Sequence, residues 1–406
     1  MIKSMTSRWL SLVAVLTTLV MPVLARHSSA QEPAFPAPPE LGGAVDFWKQ
    51  IFTRFGARDV VFFDPVDPAK IYSVLQAPET DDGRALIEKE RARIIADYEL
   101  NEDDGRIRTQ RGAKELFLSG LKIAGRYLPQ MQSILRSEGV PADLAYLPLV
   151  ESSFNVRARS SVGAAGIWQF MLATGKKFLR IDDSVDERMD PIMSTRAAAR
   201  LLKENYRLLG NWPLAITAYN HGTEGIFQGI NAVGSENIAD LIRDYRSPTF
   251  GFASKNFYAE FLAAVEIGKN REAYFPFLRA LPPIHFQEVA VTRQMPIHPL
   301  LKPAAISPNE FFEWNPAISP ASKYLPIGYR VKLPPEKLAD FLSAQRRAIE
   351  PPPSRTVSAT RGKSRQKPVA TAKHSVEKKK IVSKRKAGSR SALTSLPSSA
   401  RSGNPA

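Results

Sequence analysis

In the stretch 151-ESSFNVRARSSVGAAGIWQF-170 one glutamate, Glu151, stands among serines, glycines and aromatics, with no histidine, cysteine or second acid in the stretch. It follows the apolar helical run 144-LAYLPLV-150. A carboxyl at the end of a buried helix meets two effects that disfavour its charge: lost hydration and the partial negative charge of the helix C-terminus. Both raise its pKa, the direction a general acid working near neutral pH requires. Gln169 and Asn220 add neutral hydrogen-bonding groups suited to amide and hydroxyl oxygens. Trp168, Phe170 and Tyr219 offer faces that stack on sugar rings or line an apolar wall. Gly163 and Gly166 let the backbone approach a bulky ligand closely. The chemistry this set points to is proton transfer to a leaving oxygen. Each feature alone has a plainer meaning: a surface glutamate, a core tryptophan, a helix C-cap. Their joint occurrence carries the functional reading.

The elements that position these residues are helical. In 112-GAKELFLSGLKIAGRYLPQMQSILRSEG-139 the apolar residues Leu116, Leu118, Leu121, Ile123, Leu128, Met131, Ile134 and Leu135 recur at helical spacing. Gly139 fits a C-cap, and Pro141 fits the first position of the next helix. Asp190 and Pro191 open a further helix that Gly210 stops, and 212-WPLAITAYNHG-222 repeats that punctuation. Another helix spans residues 254–270, and residues 155–174 form a glycine-lined loop or hairpin. Within 47–75 one helix and one short extended piece are expected, and residues 83–138 are strongly helical. After Pro282 prolines become dense and the helical period disappears.

Other chemistries are excluded by composition. Cysteine is absent, which removes disulfides, thiolate metal sites, cysteine nucleophiles and lipidation at an N-terminal cysteine. The five histidines, His27, His221, His285, His298 and His374, show no metal-ligand spacing, so no metal or cofactor is expected. Lys3, Arg8 and the apolar stretch after them read as a signal peptide, 1–30, cleaved after Ala30 in preference to Ala25; the alternative is an uncleaved anchor. Either way the chain is expected to be exported, to the periplasm or cell envelope.

From Pro351 to Ala406 fourteen Lys and Arg face one acid, Glu377, which leaves +3 of the net +16 for the rest of the chain. That basic segment has too few apolar residues to fold alone. It reads either as a solvated terminus or as an electrostatic tether to an anionic envelope polymer or lipid headgroup. Nucleic acid is not an expected partner of an exported chain.

The segment 143-DLAYLPLVESSFNVRARSSVGAAGIWQFM-171, followed by 218-AYNHG-222, resembles the family-1 soluble lytic transglycosylase (SLT) domain, in the branch of membrane-bound lytic murein transglycosylase D. The resemblance spans residues 110–270, with the pieces in the family's order and spacing. It implies a mainly α, lysozyme-like domain. It also implies cleavage of the β-1,4 bond between N-acetylmuramic acid and N-acetylglucosamine in peptidoglycan, without water, giving a 1,6-anhydromuramyl product. Ordinary glycosidases use two carboxyls; this family uses one. By resemblance Glu151 is the catalytic acid and then base. Ser152, Ser160, Gly166, Trp168, Gln169, Phe170, Tyr219 and Asn220 form the substrate site, with Ser160 touching the substrate or the acid and Tyr219 oriented towards the carboxyl. Ile167-Trp168 replaces the Leu-Met of other branches, which is expected to alter the groove wall. Ala253-Ser254-Lys255 stands where some relatives carry a further glutamate, so no added polar contact is expected there.

The segment 307-SPNEFFEWNPAISPASKYLPIGYRVKLPP-335 is similar to the degenerate LysM-like piece that follows the catalytic domain in this branch, which implies glycan affinity. The alternative is a proline-rich strap. The expected organisation is a signal peptide (1–30), a mostly helical extension (31–109), the transglycosylase domain (110–280), the LysM-like segment (281–340) and a disordered basic tail (341–406). Two rivals remain open. One is a goose-type lysozyme-like muramidase that uses water, with Asp182, Asp183 and Asp186 as the acids on hand. The other is a non-catalytic peptidoglycan-binding scaffold.

Overall fold

The computed structural model describes residues 34–349 and is mainly α. The expected signal peptide and the segment 351–406 lie outside the described residues.

The N-terminal part departs from a mostly helical extension. Helix α1 (Gly42–Thr53) buries Val45, Phe47, Trp48, Ile51 and Phe52. It is followed by strands β1 (Asp59–Phe63) and β2 (Ile71–Gln76), helix α2 (Asp81–Asp97) and strand β3 (Arg108–Arg111). The strands form an antiparallel sheet in the order β2-β1-β3. The cause is local: 59-DVVFF-63 is a run of β-branched and aromatic residues. With a period of two, Val61 and Phe63 enter the main core, while Val60 and Phe62 enter a smaller one with Tyr72 and Ile94.

The main helical body runs from α3 (Lys114–Ser137) to α11 (Arg271–Tyr274). Between them lie α4 (Leu147–Ser152), α5 (Leu172–Gly175), α6 (Pro191–Leu209), α7 (Trp212–His221), α8 (Thr223–Val233), α9 (Ile238–Asp244) and α10 (Phe252–Lys269). The punctuation read from sequence holds for α6: Asp190 Oδ1 accepts from the Ile192 and Met193 amides at 2.9 and 3.1 Å, and Gly210 stops the helix at φ +78°. Pro141 instead precedes a 3₁₀ turn, Ala142–Tyr146, that leads into α4. Helix α10 is central, packing against α1, α4, α7 and this turn.

The C-terminal part has its own core, so it is more than a strap. Strands β4 (Gln287–Ala290) and β5 (Met295–Pro296) lead into α12 (Ile297–Leu301) and α13 (Pro308–Trp314). Strands β6 (Tyr324–Leu325) and β7 (Arg330–Leu333) return antiparallel to β5 and β4, and α14 (Leu338–Ile349) follows. Val289, Leu300, Phe311, Leu325, Val331 and Phe341 are buried together. The tail boundary expected at residue 341 therefore falls inside a helix, because Phe341 and Ala344 supply that core.

This module is seated on the helical body. Lys332 of β7 pairs with Asp190 in a buried contact. Arg126 of α3 meets Glu313 at 2.6 Å, and Arg157 donates to the Phe312 carbonyl at 3.2 Å.

Candidate active site

Glu151 is the penultimate residue of α4 and is half-buried. Pro148 at the start of the helix and Ser153 in the left-handed region at its end confine α4 to six residues. Ser153 and Phe154 have φ of +48° and +55°, and Gln169 across the loop has φ +48°. Three of the five described non-glycine residues with positive φ thus gather here. Such strain collects where a fold must hold an unusual backbone for function.

The loop of residues 155–171 is tied to the end of α4 by Ser152. Its Oγ lies 2.9 Å from the Ile167 carbonyl and 3.4 Å from that of Pro148. Ser152 is buried, so its hydroxyl serves the loop and does not face a ligand. Ser160 Oγ accepts from the Ala164 amide at 2.9 Å and shapes the turn that Gly163 completes at φ +87°. Gly166, at φ +78°, lies so close to the chain before α6 that a Cβ would stand 1.7 Å from the Arg188 carbonyl oxygen. Its role is backbone packing.

Trp168 and Phe170 are 0% and 2% exposed. Neither can stack on a sugar, and Ile167, also buried, forms no groove wall. Trp168 Nε1 donates to Thr195 Oγ1 at 2.9 Å and anchors the loop to α6. The exposed apolar side chains of this surface are Val162 and Leu172. The sequence reading assigned recognition to the wrong aromatics, because residue type does not report direction.

Tyr219 donates its hydroxyl to the Trp168 carbonyl at 2.8 Å, and its ring lies edge-on to Phe170 at 6.1 Å. Burial, and then the charge of Glu151, push its hydroxyl well above the ordinary tyrosine range. Tyr219 therefore stays protonated and within electrostatic reach of Glu151. Gln169 is half-buried, and its Nε2 donates to the Gly166 carbonyl at 2.8 Å, which leaves its amide oxygen outside that contact.

Helix α10 supplies groups that the sequence reading missed. Asn220 Oδ1 accepts from Ser254 Oγ at 3.0 Å, and the same Oγ lies 3.2 Å from His221 Nδ1. Ser254 of the Ala253-Ser254-Lys255 segment thus holds the side chains of Asn220 and His221 from within the fold. If Ser254 gives its proton to Asn220, the imidazole proton sits on Nδ1, facing the serine. Nε2 is buried with no partner, above Gly225, and burial lowers the His221 pKa.

The larger omission is Glu260. It lies in mid-helix at 9% exposure, and burial followed by the charge of Glu151 push its pKa up to about 8. A signal existed: 257-FYAEFLAAV-265 holds one acid in an otherwise apolar run, which marks either an exposed face or a buried carboxyl.

The acidic loop has structural work. Asp182 Oδ1 accepts from the Ser184 and Val185 amides at 2.8 and 2.9 Å. Asp186 holds Arg188 at 2.8 Å, its amide donates to the Ala317 carbonyl at 2.8 Å, and Val185 enters the C-terminal core. Two open clefts, of about 380 and 400 Å³, lie where the helical body meets the C-terminal module. Arg157 lines both, and the second is also lined by Ser152, Ser153 and Phe154, the residues that follow Glu151 at the end of α4.

Residues 131–242 match the family model described as Transglycosylase SLT domain, which includes Glu151 and Tyr219 but not Glu260. The chain is 29% identical over 150 residues to membrane-bound lytic murein transglycosylase D of Escherichia coli (strain K12), covering 36% of this chain and 32% of that one. It is 37% identical over 83 residues to a transglycosylase of Enterobacteria phage PRD1, covering 20% of this chain and 29% of the phage protein. The chain thus spans a third or less of the length of these relatives. Among solved structures, the 70 kDa soluble lytic transglycosylase of Escherichia coli aligns at a TM-score of 0.31 and 19% identity, covering 38% of this chain and 26% of that one, too distant to carry an argument.

Proposed function

We propose that this chain is a lytic transglycosylase. It cleaves the β-1,4 bond between N-acetylmuramic acid and N-acetylglucosamine in peptidoglycan, with Glu151 as both acid and base. The observation that carries the reading is that Glu151, at the end of α4, and the buried Tyr219 hydroxyl, which its charge reaches, both lie inside the segment that matches the SLT domain.

In the first step Glu151 gives its proton to the glycosidic oxygen, and the bond from that oxygen to C1 of the muramic residue breaks. The substrate's N-acetyl group stabilises the oxocarbenium-like centre. In the second step the Glu151 carboxylate takes the proton of the muramic 6-hydroxyl, and that oxygen bonds to C1. The enzyme regains its proton, and the product ends in a 1,6-anhydro ring. Neither water nor a cofactor enters the balance. Asn220 and Gln169 present amide groups to the sugar, while Trp168, Phe170 and Ser152 hold the loop from behind.

Glu260 gives the hydrolytic rival its one supporting feature, since a muramidase uses a second carboxyl. At 9% exposure, however, Glu260 is poorly placed to activate a bulk water. The C-terminal module adds glycan affinity in this reading. The basic segment 351–406 tethers the chain to anionic envelope material, with the protein exported to the envelope.

Mass analysis of products from purified sacculi tests the proposal. Anhydro-ended muropeptides, one water lighter than reducing ends, are expected. Reducing ends would make the protein a hydrolase, and bound protein without products would make it a scaffold.

A further inference from the structure

We propose that Ser254 and His221 are positioning residues for substrate recognition: a hydrogen-bond relay from the imidazole through the Ser254 hydroxyl fixes the amide of Asn220, so that Asn220 presents its NH2 group, and not its oxygen, to an amide carbonyl of the glycan. This rests on the reading above, in which Asn220 presents its amide to the sugar.

Three helices meet at the relay. Asn220 and His221 are the last two residues of α7, and Gly222, at φ +93°, turns the chain directly into α8. Ser254 lies buried in the first turn of α10. Its Oγ is 3.0 Å from Asn220 Oδ1 and 3.2 Å from His221 Nδ1, so one hydroxyl joins both side chains. The imidazole is held on two further sides. Its ring stands edge-on to the buried Phe250, with the centroids 5.0 Å apart. Its far nitrogen, Nε2, packs on Gly225 of α8, where an added Cβ would stand 2.4 Å from it.

A hydroxyl has one proton, so two proton orders fit these distances. In the first, Ser254 donates to Asn220 Oδ1 and accepts from His221 Nδ1–H, and Nε2 carries a lone pair. In the second, the amide is turned over: its NH2 donates to Ser254, Ser254 donates to Nδ1, and the imidazole proton sits on Nε2. The surroundings of Nε2 select the first. This atom is buried and no acceptor faces it among the described residues, so a proton placed there would be left without a hydrogen bond. Gly225 belongs to the first turn of α8, the helix end at which amide N–H groups carry partial positive charge. That charge favours a lone pair and opposes a proton. Burial lowers the pKa of the ring, which keeps it neutral.

A primary amide carries a donor and an acceptor of nearly the same size, and an unrestrained asparagine can present either. With Oδ1 committed to Ser254, the NH2 lies on the opposite side of the amide, and Asn220 becomes a donor of fixed direction. A donor matches the carbonyl oxygen of an acetamido group. Setting the amide before the glycan arrives also removes an ordering cost from binding. Ser254 and His221 thus raise affinity and select for an acceptor without touching the substrate.

Nitrogen NMR of the imidazoles in the full chain reads the proton order directly, with the His221 signals identified by their loss in His221→Asn. The Nδ1–H tautomer is expected; an Nε2–H tautomer would overturn the proposal, and this readout needs no variant to be active. Steady-state kinetics on glycan strands then tests recognition. Ser254→Ala frees the amide and should raise KM by up to about tenfold with kcat nearly unchanged. His221→Leu should move KM in the same direction, and His221→Asn, whose side-chain N–H replaces Nδ1–H, should restore it. Asn220→Asp puts an oxygen where the NH2 stood and should raise KM more than Ser254→Ala does. An unmoved KM in Asn220→Asp would overturn the donor role, and a fall in kcat with KM unmoved in Ser254→Ala would leave the relay a packing feature. Cleavage retained by Glu151→Gln would overturn the assignment of the acid itself, separately from the relay.

Discussion

Two buried acids of this protein have opposite partners. Asp190, at the head of α6, accepts two backbone amides and the Lys332 ammonium, so its charge is met from several sides. Glu260, in the middle of α10, is buried, is reached by the charge of Glu151, and has no ion pair with a cation among the described residues. The first arrangement fixes the C-terminal module on the helical body. The second does nothing for stability at neutral pH, because burying a carboxyl beside a like charge favours its neutral form. Strongly shifted acids of this kind cluster at functional sites. Burial alone therefore does not separate structural acids from functional ones; the sign of the neighbouring charge does.

The comparison can be broken most sharply at Glu151. Glu151→Gln is expected to lower glycan cleavage by at least about 100-fold, the scale of a lost general acid, while sacculus binding persists. Turnover near wild type would remove the acid from the reading. Next in size is the junction. Lys332→Met strands the Asp190 charge in a buried site and should cost about 3–5 kcal/mol in a denaturant melt. Adding Asp190→Asn should recover much of the loss, because asparagine caps a helix about as well as aspartate. A double variant no better than the single would show that the pair is not what matters there.

The two regions should also carry opposite pH slopes of stability. Glu260 has its native pKa raised from 4.5 to about 8, so the native state keeps a proton that the unfolded chain releases. Stability is then lost as pH rises from 4.5 to 8. Glu260→Gln should accordingly melt higher than wild type, by a margin that widens between pH 5 and 8. Asp186 runs the other way. Burial opposes its charge, but the hydrogen bond and charge of Arg188, with Arg159, outweigh it and hold the carboxyl below its ordinary 3.8. Its contribution is complete above the unfolded value and is lost as pH falls below 3.8 through the native one. Acid melts followed by a probe in the C-terminal module should show that loss, since the Asp186 amide also bonds the Ala317 carbonyl.

The smallest effect sharpens the site itself. Trp168→Phe removes the hydrogen bond to Thr195 and should cost about 1 kcal/mol of stability with KM almost unmoved. A KM rise without loss of stability would return Trp168 to a sugar-stacking role.

What the sequence determined by itself was local. Asp190-Pro191 and Gly210 bound one helix because a cap, a fixed φ and a left-handed glycine act within a few residues. Glu151 stood out because the apolar run before it and the glycine-lined loop after it are contiguous with it. The small sheet was equally local in origin, in 59-DVVFF-63, within the stretch where one short extended piece is expected, yet its pairing with β3 required residues far along the chain, in a stretch whose sequence reads as helix. Direction and distance belonged to the tertiary structure. Whether Trp168 faces sugar or core depends on Thr195 of α6, which the loop sequence does not contain. Whether Glu260 is an exposed charge or a buried carboxyl depends on which face of α10 packs into the helical body. Residue type sets what a group can do; only the packing of elements distant in sequence sets what it is next to, and for an ionisable group the neighbour decides whether it carries charge.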